Sequence, residues 1–247
     1  MVVLLIGTLA ACGGGDSGDE APGPVAVVDP TPGATNPQMP LFVRPFVNEY
    51  PLLNYFDHDV PTAPEVTNRY QLNWRGDRAV PGRDIGGYDG HRGIDWLLPE
   101  DTPMFAVTAG EIVLAGGITE PCFLENNELR TSLTVIIQFV APDGDTYAVT
   151  YGHMNRIDVA VGDLVGEGRQ IGLSGVTGCV GRGHLPHVHF QVQRVFAGVP
   201  LRTNVLDPYG WEGAGFDPWS VTDARKRSVW LWKQGQAPDM VPRRPPF

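Results

Sequence analysis

The sequence predicts an all-β protein: a compact antiparallel β-sandwich or barrel-like domain with irregular N- and C-terminal extensions. Three observations point there. Glycine and proline are abundant, 31 and 23 of 247 residues, while charged residues make up only 19%, a balance that suits short strands and turns. From Gly90 to about Val199, short apolar or β-branched runs follow one another between turn signals. No convincing amphipathic helix interrupts that region. A hydrophobic content of 42% can fill an ordinary core, and the length allows one sizeable domain plus extensions or two small domains.

In chain order, Val2–Ala11 is mostly apolar, too short to span a bilayer, and ends in Leu9-Ala10-Ala11-Cys12. That ending resembles the lipobox of bacterial lipoproteins, although no Lys or Arg precedes the apolar stretch. The resemblance implies a signal segment over 1–12, lipid on Cys12, and an exported protein anchored to the membrane. Residues 13–40 are rich in Gly, Pro, Asp and Ala without apolar periodicity and read as a flexible tether. Residues 41–87 hold Phe42, Phe46, Tyr50, Tyr55 and Tyr70 without clean periodicity and read as an extension wrapping the main domain. His58 sits there between Asp57 and Asp59; with no second ligand at useful spacing, it reads as a third-shell or surface residue rather than a metal ligand.

The main domain is expected over 88–200. Phe105–Leu114 reads as a strand bent at Ala109-Gly110. Leu133–Val140, almost continuously apolar and β-branched, reads as a strand buried on both faces. Pro142-Asp143-Gly144-Asp145 is a turn, with Tyr147–His153 as the returning strand. Short strands flank Val161-Gly162-Asp163 and Gly166-Glu167-Gly168, and His187–Val195 closes the set. An appendage over 201–233 carries four of the six tryptophans; its rings are expected to cover the β-domain, with a wall for sugars or peptides as the alternative. Residues 234–247 read as disordered.

The net charge of −10 repels phosphate backbones and argues against nucleic acid as a partner. Of three cysteines, Cys122 and Cys179 remain once Cys12 is assigned to lipid. They are free to pair in an oxidising compartment or to stay as small apolar thiols.

The chemistry lies in three histidine-bearing segments. In His187-Val188-His189-Phe190-Gln191-Val192, alternation along a strand puts His187, His189 and Gln191 on one face and Val188, Phe190 and Val192 in a core. His91-Arg92-Gly93-Ile94-Asp95-Trp96, if extended, puts His91, Gly93 and Asp95 on one face, with the glycine leaving room for an ion. Imidazole plus carboxylate suits zinc. Tyr151-Gly152-His153-Met154 places a third histidine where a strand meets a loop.

In this order, H-x-G-x-D, Y-G-H and H-x-H resemble the lysostaphin-type, LytM-like zinc metallopeptidases of peptidase family M23, also called the duplicated hybrid motif family. The likeness covers roughly residues 86–195, including Pro103–Gly110 and Val161–Gly166. By matched positions it implies one zinc per chain held by His91, Asp95 and His189, with His153 and His187 as the catalytic, non-ligand histidines. It further implies hydrolysis of peptide bonds in peptidoglycan stem peptides or cross-bridges, with peptidoglycan as the partner. Departures are Gly181-Arg182-Gly183-His184 before H-x-H, the stretch Glu120–Ser132 in place of a tighter turn, and Gln191 where many relatives have Glu; they bear on specificity rather than on the metal site. Two other readings fit the residues less well. A non-catalytic amidase activator would have lost ligands, yet all three are present. A lipoyl-like carrier would need a hairpin-tip lysine, and the only two lysines are Lys226 and Lys233.

Overall fold

The computed structural model describes residues 37–61, 69–181, 185–221 and 223–242. Cys12, most of the expected tether, and His184 lie outside them. Among the described residues the strands are β1 (Gln38–Phe42), β2 (Leu52–Asn54), β3 (Gln71–Leu72), β4 (Arg78–Ala79), β5 (Ile94–Leu97), β6 (Pro103–Phe105), β7 (Gly110–Cys122), β8 (Glu128–Val140), β9 (Thr146–Met154), β10 (Arg156–Ile157), β11 (Leu164–Val165), β12 (Gln170–Leu173), β13 (His187–Arg194), β14 (Val205–Leu206) and β15 (Trp230–Trp232). One short helix, α1 (Pro218–Val221), and three 3₁₀ turns accompany them.

Eight strands form the main sheet in the order β11-β7-β8-β9-β13-β5-β2, with β14 added beside β13. Its pairings are antiparallel. A three-stranded sheet, β10-β12-β6, and the two-stranded β1-β15 and β3-β4 pairs complete the fold. The β8–β9 turn is built as its residues demand. Gly144 adopts φ +86°, and the Asp143 carboxylate accepts from the Asp145 N–H at 3.0 Å and from the Tyr147 hydroxyl at 2.7 Å.

Alternation along β13 sorts the protein into two sides. Val188, Phe190 and Val192 are fully buried. Phe190 stacks on Trp232, with ring centroids 5.8 Å apart, and meets Phe42 and Tyr151 edge-on. Each such side chain, taken from water, contributes roughly 1.5–3 kcal/mol. The ribbon of β1 and β15 therefore covers the apolar face of the sheet with rings from both extensions. The opposite face, carrying His189, Gln191 and Gln193, lines a groove.

Several expectations meet a different structure. Phe105–Leu114 is not one bent strand: β6 ends at Phe105 in the small sheet, and β7 begins at Gly110 in the large one. Between them the Ala106 N–H donates to the Arg169 carbonyl and the Val107 N–H to the Tyr151 hydroxyl. The glycine is required where β7 starts, since a Cβ there would lie 2.5 Å from the Gln138 carbonyl oxygen. Edge strands β2 and β14 come from outside 88–200, so the extensions complete the main sheet as well as wrapping it.

His58 is not at the surface. It is fully buried, with Nδ1 2.9 Å from Asp217 and Nε2 3.1 Å from Asp207. Burial opposes its charge, but the Asp217 and Asp207 carboxylates outweigh it and raise the pKa to about 9. Asp217, despite burial, is held below the usual carboxylate range by that imidazolium. The triad joins the N-terminal extension to the appendage, whose rings act as a cover: Tyr209, Trp219 and Trp232 are buried. Residues 234–242 are ordered, against the expected disordered tail. The Tyr209 hydroxyl donates to the Pro238 carbonyl at 2.5 Å, the Leu52 N–H donates to Val241, and Met240 is buried. Docking through backbone carbonyls and a single methionine leaves no periodicity to read.

Candidate metal centre

Strand register assembles the site. In the row across β5, β13 and β9, Asp95 stands opposite His189 and His189 opposite Gly152. His91 precedes β5 and reaches the same point. Its Nε2 lies 3.1 Å from His189 Nδ1 and 3.2 Å from Asp95 Oδ1, while His189 Nδ1 lies 2.9 Å from Asp95 Oδ1. The three ligand atoms form a nearly equilateral triangle. Zinc bonds of about 2.0–2.2 Å in tetrahedral geometry give donor–donor edges of roughly 3.3–3.6 Å, so the triangle fits zinc after opening by a few tenths of an ångström. Two imidazoles and one carboxylate, with one side open, are also the donor set of a catalytic rather than a structural zinc site.

Backbone carbonyls orient the rings. A carbonyl oxygen can only accept, so each imidazole nitrogen facing one carries the proton. His91 Nδ1 donates to Tyr55 at 2.7 Å, which leaves the Nε2 lone pair toward the triangle. His153 Nδ1 donates to Thr177 at 2.7 Å, and His187 Nδ1 donates to Leu185 at 2.8 Å. Both therefore keep Nε2 as the basic nitrogen. Their ring centroids are 4.6 Å apart, and His153 stands 6.1 Å from His189. All five residues line one cleft of about 410 Å³.

His153 has φ +62°, a left-handed conformation costly for a non-glycine residue. The pairing of β9 with β8 shifts register between Tyr151 and Met154, a bulge that re-aims the side chain. The Ser132 hydroxyl accepts the His153 N–H at 3.0 Å. Thr177 is held in turn: its hydroxyl accepts from the Leu133 N–H and donates to the Met154 carbonyl. Nothing in the sequence singled out Tyr55, Ser132, Thr177 or Leu185. Three of them act on the histidines through backbone carbonyls that every residue owns.

Electrostatics separates the roles. Burial would raise the Asp95 carboxyl, but His91 and His189 hold it well below its ordinary value. Burial lowers His189 against the pull of Asp95. Burial, reinforced by His187 and His189, pushes His153 down to about 3, so its uncharged form dominates at pH 7.

A disulfide joins Cys122, at the end of β7, to Cys179, 57 residues later. The β7–β8 ribbon continues through Glu120–Ser132 to a 3₁₀ turn at Phe123–Glu125. Leu124 from that tip lines the cleft, and Phe123 lines the adjoining groove. The disulfide thus fixes the ribbon to the loop that supplies Thr177.

The chain is similar to known proteins. The family model described as peptidase family M23 matches residues 89–206. The peptidoglycan DD-endopeptidase ShyA of Vibrio cholerae is 30% identical over 122 residues, 47% of this chain and 24% of the relative. The glycyl-glycine endopeptidase ALE-1 of Staphylococcus capitis is 36% identical over 101 residues, 41% of this chain and 24% of the relative. The match thus spans about a quarter of the length of these curated relatives. Among solved structures, the catalytic domain of lysostaphin from Staphylococcus simulans is 30% identical, with a TM-score of 0.36, covering 49% of this chain and 80% of that one. The family match contains all five cleft residues, from His91 to His189, and this chain carries a domain of peptidase family M23.

Proposed function

We propose that the chain is a zinc-dependent endopeptidase that hydrolyses peptide bonds of peptidoglycan stem peptides or cross-bridges, using His91, Asp95 and His189 as metal ligands and His153 and His187 as assisting histidines. The observation that carries the reading is the ligand triangle with two further imidazoles, both presenting Nε2, in the same cleft. The names of the relatives, a peptidoglycan DD-endopeptidase and a glycyl-glycine endopeptidase, support the substrate class. Zinc, when bound, supplies Lewis-acid polarisation of the scissile carbonyl and makes water a better nucleophile at neutral pH. The protein's part is to hold two basic nitrogens beside the reacting atoms. One Nε2 would accept the proton of the attacking water and then pass it to the departing amine; the other, once protonated, would hydrogen-bond the developing oxyanion. Lipid attachment at Cys12 on an exported chain completes the proposal and rests on the Leu9–Cys12 sequence; equal partition of wild type and Cys12→Ser between membrane and soluble fractions would count against it.

Elemental analysis beside digestion of purified sacculi tests the assignment. His189→Ala and His91→Ala are expected to lose zinc and activity together. His153→Ala and His187→Ala are expected to keep about one zinc per chain while activity falls about 10²–10⁴-fold. A wild-type protein that carries no zinc and releases no fragments overturns the reading.

A further inference from the structure

The groove beside the metal centre contains an arginine that makes no hydrogen bond or ion pair among the described residues. Three arginines line it: Arg92, Arg130 and Arg202. Arg130 is paired with Glu125 and Glu128, and Arg202 with Glu120. Arg92 is half-buried and makes no hydrogen bond or ion pair among the described residues. Acids outnumber bases in this chain, 28 to 18, so an unpaired guanidinium is not explained by any shortage of carboxylates. A partly desolvated charge without a partner costs free energy, and its planar donor fork matches a carboxylate through two parallel hydrogen bonds.

Position narrows what that carboxylate belongs to. Arg92 follows the ligand His91 directly and shares the groove wall with His189. An extended peptide advances only about 3.3 Å per residue, so a residue close in sequence to the bond presented to the metal can reach this wall of the groove. We propose that Arg92 forms a carboxylate subsite that selects stem peptides bearing free carboxylates near the scissile bond over amidated stems and uncharged glycine bridges. This rests on the endopeptidase reading above and adds to it the chemical class of substrate.

The test uses three synthetic probes: a cross-linked stem-peptide dimer with free carboxylates, the same dimer with those carboxylates amidated, and pentaglycine. For zinc-loaded wild type, Arg92→Gln and Arg92→Lys, kcat and KM are measured, and binding of the uncleaved monomeric stem peptides is followed by calorimetry. The expected wild-type preference for the free-carboxylate dimer is about 10–100-fold in kcat/KM, carried mainly by KM, as for a charge-assisted contact. Arg92→Gln should flatten that ratio to near one, in cleavage and in binding alike, and Arg92→Lys should restore part of it. Equal use of free and amidated dimers by wild type overturns the proposal, as does a preference that survives Arg92→Gln. If wild type cleaves none of the probes, the endopeptidase reading fails on its own. The calorimetric arm then still decides the subsite, since a carboxylate preference in binding that disappears with Arg92→Gln supports it and its absence refutes it.

Discussion

Gly93→Ala places a methyl group where two strands and a metal ligand meet. A Cβ at Gly93 would lie 2.5 Å from the Phe190 carbonyl oxygen and 2.8 Å from His189 Cε1. An ordinary carbon–oxygen contact is about 3.3 Å, so the shortfall at the carbonyl is about 0.8 Å. That oxygen belongs to β13, which is paired with β5 at Phe190↔Ile94 and cannot rotate away. Either the two strands part or the His189 ring leaves the triangle. Overpacking of this kind costs about 1–3 kcal/mol, and displacing a ligand by more than the ±0.2 Å that a metal site tolerates should weaken zinc about 10–100-fold, comparable to losing a supporting contact. Denaturant unfolding of the metal-free protein measures the first effect, and competitive titration against a chelator the second. Gly116→Ala is the control: it also lies in the sheet, its Cβ would meet nothing within 4 Å, and it should change neither quantity measurably. The argument is refuted if Gly93→Ala matches wild type in both unfolding midpoint and zinc affinity.

Two further outcomes follow from contacts away from the metal. Replacing Cys122 and Cys179 by serine reopens a loop with a sequence separation of 57 and should cost roughly 4 kcal/mol in the chain-entropy model, read as a lower unfolding midpoint; because the same loop positions His153, activity should fall as well. For His58, a folded pKa of about 9 above an unfolded value near 6.5 means that its stabilisation is complete below about pH 6.5 and is lost as pH rises through 9. The gap corresponds to about 3 kcal/mol. Stability measured from pH 6 to 10 should show that decline in wild type and lack it in His58→Leu, which should also be destabilised by about 3–5 kcal/mol because Asp207 and Asp217 lose their buried partner.

The candidate ligand cluster was legible because β13 announces itself. Two histidines two residues apart, interleaved with Val188, Phe190 and Val192, can face one way only if the strand has a buried side, and the burial pattern agrees. Gly93 was legible as a special position but for a different reason: its missing side chain makes room for the Phe190 carbonyl and the His189 ring rather than for an ion. What stayed hidden depends on register between distant segments. The left-handed bulge at His153, and the Thr177 and Tyr55 carbonyls that face His153 and His91, exist only once distant segments are aligned. His58 misled for a related reason. No partner lies at useful spacing near it, because the carboxylates that hold it, Asp207 and Asp217, lie 149 and 159 residues away.

The same long reach within the ligand triangle governs when the site comes into being. His189 is separated from Asp95 by 94 residues and from His91 by 98. A half-folded chain holds no such triangle, and closing contacts this far apart is a late, slow event in folding. A metal ion that recognises only the finished arrangement cannot serve as a seed for folding; it lowers the free energy of the native state after the rate-limiting step has passed. A metal held there would act on the way out, as a latch that prolongs the life of the folded protein.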